Sequence, residues 1–251
     1  MRVRVALPAS FTVSCPHLLV LDCGGREDDE PRLAVCLAAC PPSIQALICN
    51  HTQLAKLGPL SACTALQRFM CSHTGVVGLR PLSACMRLQT LDCSRTEVAE
   101  LGPLSACTLL QSLNCSHTRV TRLGPLSACT ALRTLNCGCT RVAALGPLSA
   151  CALMQTLDCG STQVSALYPL SACSLLQTLD CSRTGVADLG PLSACTLLQG
   201  LNCSETRVAE LGPLAACTGL ASLRCERYVP PEQLQQLRGS CYHGCLVIEQ
   251  A

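Results

Sequence analysis

Tryptophan is absent from the 251 residues, and phenylalanine and tyrosine number only two and three. A hydrophobic interior without large rings has to close from small and branched side chains, which suits thin repeated layers. Net charge is nearly absent too: 18 Lys and Arg against 16 Asp and Glu leave +2. That balance excludes general electrostatic attraction to nucleic acid or to an anionic membrane. The one block of like charge, Glu27-Asp28-Asp29-Glu30, reads as a solvated loop. Also missing is any run of the ~18 uninterrupted apolar residues that a membrane-crossing helix needs. The arginines near Met1 are followed by Pro8, Ser10, Thr12 and Ser14 rather than an apolar stretch, so the N-terminus makes a poor secretory signal. Glycine-rich phosphate loops, HExxH helices and GxSxG elbows are lacking as well.

What the chain has in abundance is a period. Prolines at 59, 81, 103, 125, 147, 169, 191 and 213 stand 22 residues apart, and the units they mark differ at few positions. Residues 37–58 keep the register without the proline, through Ile44, Leu47, Cys49, Thr52, Leu54 and Leu57. Leu18, Leu21 and Cys23 repeat the same spacing upstream, but 26 residues separate Cys23 from Cys49, which marks a degenerate first unit with a longer loop. Within one turn the apolar positions are Leu82, Cys85, Leu88, Leu91, Cys93, Val98 and Leu101. Leu91-Asp92-Cys93 alternates and predicts a short strand with one face inward. Spacing of three elsewhere predicts tight turns of 3₁₀ type, with proline at their first position.

The pattern Leu88-x-x-Leu91-x-Cys93-x-x-Thr96-x-Val98-x-x-Leu101-x-x-Leu104 resembles the leucine-rich repeat. Its 22-residue length is that of the short class seen in bacterial internalins and in a regulatory subunit of a Ser/Thr protein phosphatase. The resemblance implies an α/β fold, a curved right-handed leucine-rich-repeat solenoid. Short parallel strands then line the concave face, with 3₁₀ or short helical turns on the convex face. Residues 1–36 are expected to form an N-terminal cap with the degenerate first repeat, 37–225 about nine repeats, and 226–251 a C-terminal cap. In that cap, Pro231–Arg238 reads as a short amphipathic helix and Leu246-Val247-Ile248 as a final strand. The family's asparagine ladder is replaced here by Thr52, Thr74, Thr96, Thr118, Thr140, Thr162, Thr184 and Thr206. A hydroxyl carries one donor where the amide carries two, so the turn after the strand is expected to be held less tightly. The glycine before each proline gives way to Arg80 and Tyr168 in two units. An extended backbone is therefore expected in that column, with both side chains projecting from the coil.

Twenty-four cysteines would ordinarily mark a disulfide scaffold. Here one column runs from Cys49 to Cys225 and another from Cys63 to Cys217, both at positions that want an inward aliphatic residue. Reduced cysteine is among the most buried residue types, so free, core-packing thiols and a reducing, cytoplasmic setting are expected. Neighbouring thiols on parallel strands point the same way, which disfavours the disulfide torsion. Cys241, His243 and Cys245 match no common zinc spacing, so no metal and no cofactor is expected.

The outward stripe Asp92, Asn114, Asn136, Asp158, Asp180 and Asn202 should lie along the strands, with Arg95, His117 and Arg183 just beyond it. These nine residues, with the projecting Arg80 and Tyr168, are the candidate partner-binding positions. The stripe has a second reading, in which Asp/Asn and Thr/Ser ladders satisfy one another and the backbone. His51, His73 and His117 share one column, and a residue copied at a repeat position reads as a turn residue rather than a catalytic base. The expected role is therefore non-enzymatic protein–protein binding by a monomer, as adaptor, scaffold or regulatory subunit. The alternatives are a surface or secreted recognition protein of internalin type, and a recently amplified array with little specificity.

Overall fold

A computed structural model describes residues 2–4, 19–23, 40–226, 229–241 and 247–250. The acidic run at 27–30, Cys36, Tyr228, His243 and Cys245 lie outside them. All strands of the described chain form one 12-stranded sheet, ordered as in the sequence and parallel throughout. They are β1 (Arg2–Arg4), β2 (Val20–Asp22), β3 (Ala46–Ile48), β4 (Arg68–Met70), β5 (Thr90–Asp92) and β6 (Ser112–Asn114). The run continues with β7 (Thr134–Asn136), β8 (Thr156–Asp158), β9 (Thr178–Asp180), β10 (Gly200–Asn202), β11 (Ser222–Cys225) and β12 (Val247–Gln250).

Each strand from β3 onward has only three or four residues, yet the ladder between rungs is longer than the strand. The Gln89 N–H donates to Gln67 O at 2.8 Å before β5, and the Arg95 N–H donates to Ser116 O at 2.9 Å after it. Backbone groups on both sides of the strand are thus paired with the next turn, as buried backbone requires. Across each coil a 3₁₀ turn such as Gly102–Ala106 stacks on its counterparts. Strands lie ~4.8 Å apart, and the 3₁₀ turns stack rung on rung across the coil from them.

The 3₁₀ turns begin one residue before the proline, at the glycine column, so that column lies inside the turn. The extended backbone expected there is corrected: no positive φ is needed, and Arg80 and Tyr168 start two turns without left-handed strain. Both side chains are exposed, Tyr168 to 66%. The turn closes on itself through Ser105 Oγ, which donates to Gly102 O at 2.9 Å.

The interior is one continuous cluster of leucine, valine and cysteine from Leu21 to Leu237, with Phe69 its largest side chain. At the C-terminal end helix α1 (Pro231–Ser240) covers the last layer with Leu237, and Leu234 packs against the same cluster. Gln233 anchors the helix by accepting from the Leu211 N–H at 2.7 Å. β12 then continues the sheet, pairing Ile248 with Leu223.

Candidate functional site

The two cysteine columns are buried and reduced, and they do different work. None of the 21 described cysteines is joined in a disulfide. Those from Cys85 to Cys217 stand beside the 3₁₀ turns and donate weakly to carbonyls of the preceding turn. Cys129 Sγ, for example, lies 3.5 Å from Leu104 O and 3.6 Å from Cys107 O. An aliphatic side chain could not supply that donor. The strand column, Cys49 to Cys225, packs chiefly as a small hydrophobe. Burial pushes the thiols upward: to about 12 at Cys93 and Cys137, and to about 11 at Cys85 and Cys151. None of these is a nucleophile at neutral pH.

On the sheet face, every carboxylate or amide of the outward stripe is half-buried at the last position of its strand. Asp92 Oδ1 accepts from the Ser94 N–H at 3.0 Å and from Ser94 Oγ at 2.7 Å. Asn114, Asp180 and Asn202 repeat the arrangement with Ser116, Ser182 and Ser204. Asn136 and Asp158 accept from the N–H groups of Gly138 and Gly160, where no serine hydroxyl is present to add a second bond. Side-chain oxygen therefore holds the exit from each strand, and the structural reading of the stripe applies to these six residues. Asn202 also donates to Asp180 Oδ2 at 2.8 Å, bridging two rungs. Asn136 bonds to the Asp158 carboxylate in the same rung-to-rung way; burial raises the Asp158 pKa, opposed by the Gly160 N–H and by Asn136 and reinforced by Asp180.

One residue further on, the backbone turns left-handed. His51, His73, Arg95, His117, Cys139, Ser161, Arg183 and Glu205 all have φ between 52° and 56°. For non-glycine residues this conformation costs on the order of 1 kcal/mol each. The sequence carries no signal for it, because none of the eight is Gly or Asn, the residues that normally mark such a turn. The threonine that follows closes the turn. Thr118 Oγ1 donates to Cys115 O at 2.6 Å, and Thr140 Oγ1 also accepts from the Val142 N–H at 3.5 Å. All eight threonines are buried, and each hydroxyl donates to the carbonyl three residues before it.

The left-handed residues project from the rim of the sheet. His51 and His73 stack with ring centroids 4.3 Å apart. Arg183 donates to Glu205 at 2.8 Å, and Arg224 pairs with Glu249. These pairs surround a shallow polar hollow of about 460 Å³ lined also by Ser161, Ser182, Asn202 and Ser204. The candidate residues thus fall into separate groups: six strand-end caps, three rim side chains (Arg95, His117, Arg183), and Arg80 and Tyr168 on the opposite, 3₁₀ face.

Known proteins share this architecture. A family model described as Leucine Rich repeats, two copies, matches residues 108–150. A comparison with curated proteins found no match. Among solved structures, an internalin (inlF) of Listeria monocytogenes is 19% identical with a TM-score of 0.78, covering 86% of this chain and 63% of its own. A leucine-rich-repeat protein of Leptospira interrogans is 14% identical with a TM-score of 0.81, covering 91% of this chain and 59% of its own. The functional domain of InlJ from Listeria monocytogenes, described as including a cysteine ladder, is 20% identical with a TM-score of 0.59, covering 83% of this chain and 58% of its own. The chain thus spans about three-fifths of the length of these three. At such identities the likeness is one of fold, and the fold is the leucine-rich-repeat solenoid with internalin-like repeats.

Proposed function

We propose, from the premise that the chain is a leucine-rich-repeat solenoid, that it is a protein-binding module using its sheet face and the adjoining rim. The carrying observation is the unbroken parallel sheet from β3 to β11, whose outer surface is a platform, polar along the stripe from Asp92 in β5 to Arg224 in β11. Its strand-end side chains are committed to the backbone, so the platform is rigid before any partner arrives. Rigidity lowers the ordering cost of association. Contact then falls to the rim, where Arg95, His117 and Arg183 are exposed. Arginine is a residue type that anchors interfaces, particularly when it is desolvated. Arg80 and Tyr168 offer a separate contact on the 3₁₀ face.

A reducing, cytoplasmic setting is supported by the thiol columns. Thiol titration of the unfolded, non-reduced protein should find most of the 24 cysteines free. A count near zero would instead favour a secreted or cell-surface recognition protein, the alternative that the internalin likeness keeps open. The binding reading is tested by proximity labelling or cross-linked pull-down from the native cell, comparing the natural chain with charge reversals at Arg95, Asp158 and Arg183. Loss of a specific partner supports it. An unchanged set of captured proteins rejects the platform as a binding surface and favours a repeat array with little specificity.

A further inference from the structure

Charge is distributed unevenly along the coil. Between residues 50 and 150 stand nine Lys and Arg against three Asp and Glu, a net of +6. Between 151 and 250 stand five against eight, a net of −3. The near-neutral whole therefore conceals a basic first half and an acidic second half.

The rim column sharpens the contrast. In the second half its charges are neutralised within the column, Arg183 by Glu205. In the first half the same column begins His51, His73, Arg95 and His117, all exposed and successive by one rung, before Cys139. No ion pair among the described residues engages Arg95. Arg68 on β4 and Arg141 beyond the rim are exposed alongside. Ile48 and Met70 occupy the stripe positions that hold Asp or Asn from Asp92 to Asn202. The acidic groups near the strip are few. Asp22 ends β2 in register with Ile48, Asp92 lies at the end of β5, Asp158 lies within electrostatic reach of His117, and Glu97 is taken by Arg119. Glycine or asparagine would fit the left-handed backbone better, yet the four rungs from His51 to His117 present histidine or arginine there.

We infer that the rim from His51 to His117 is a docking strip for an acidic segment of a protein partner, and that lowering the pH strengthens its grip. This rests on the protein-binding reading above. Histidine is the side chain that gains charge as the pH falls from about 8 to 5, so protonation of the three imidazoles would raise the strip from one positive charge towards four. Desolvation, the neighbouring His51 and then Arg95 hold the His73 pKa down. Glutamates on the partner keep their charge down to about pH 4.3, so the attraction should peak between about pH 5 and 6.

The test uses the full chain and a fluorescein-labelled oligoglutamate peptide at low salt, at about pH 7.5 and pH 5.5. Affinity should rise on the order of tenfold at the lower pH. Triple substitution His51→Asn, His73→Asn, His117→Asn should remove that rise while leaving the thermal midpoint equal or higher, since Asn accepts a left-handed backbone. Arg95→Gln should weaken binding at both pH values, and Arg207→Gln should not. A pH response that survives the triple substitution, equal losses with Arg207→Gln, or a preference for phosphatidylserine vesicles over the peptide would each overturn the inference. So would a native partner whose cross-links fall only between Thr156 and Arg224, a result that leaves the broader binding reading standing.

Discussion

Apart from Cys63, whose hydrogen bond with Cys40 lowers its pKa, burial holds the column thiols neutral in the fold, which gives stability a pH dependence of known sign. A thiol whose folded pKa lies above its unfolded value of about 8.5 contributes stability that is complete below that value and is lost as pH rises. Cys93 and Cys137 at about 12 place the loss between roughly pH 8.5 and 12. Each such thiol removes about 1.4 kcal/mol per pH unit in that window. Urea melts at pH 8, 9 and 10 should therefore show a falling midpoint, about flat below pH 8; a level midpoint up to pH 10 would mean the columns are not buried. Threonine offers a second residue-scale check. Thr118→Val keeps the shape but removes the donor to Cys115 O, and should cost about 1–3 kcal/mol. Thr118→Ser, which keeps the hydroxyl, should recover most of that loss in the same denaturation experiment.

Each coil turn works as a unit of two opposed elements, a three-residue strand and a 3₁₀ turn, neither stable alone. What joins them is the leucine layer between, so Leu157→Ala in β8 should cost about 2–5 kcal/mol. Leu153→Ala, only a few residues earlier but 37% exposed, should cost well under half as much in the same melt. The Leu, Val and Cys columns were readable from the sequence because burial must repeat with the turn, and repetition is visible as spacing. Helix α1 was readable from Pro231, Leu234 and Leu237 for the same reason. The left-handed rim was not readable, because that conformation arises from the geometry of leaving a strand and is filled here by residues that do not announce it. Nor were the sulfur donors of the second column, since a thiol beside a carbonyl and a thiol beside leucine are spelled alike. Asp92 and its counterparts were visible as a stripe, but only their contacts with the following N–H groups show that they cap the strands.

At the scale of the whole molecule, each turn touches its neighbours and little else, so one turn should be removable. Deleting residues 126–147 joins identical registers and should leave a folded, slightly less stable coil, judged by circular dichroism and a single cooperative melt. Deleting 126–146, one residue fewer, throws every following leucine out of column and should abolish cooperative unfolding beyond the cut. The same topology has a mechanical consequence. Hydrogen bonds between strands run along the axis of the coil, from β1 through β12, so tension applied between its two ends loads them one rung at a time, like a zipper rather than a rope. Stretched singly, the molecule should yield in even steps. Each 22-residue turn releases about 7–8 nm of contour, set by the reach of an extended residue.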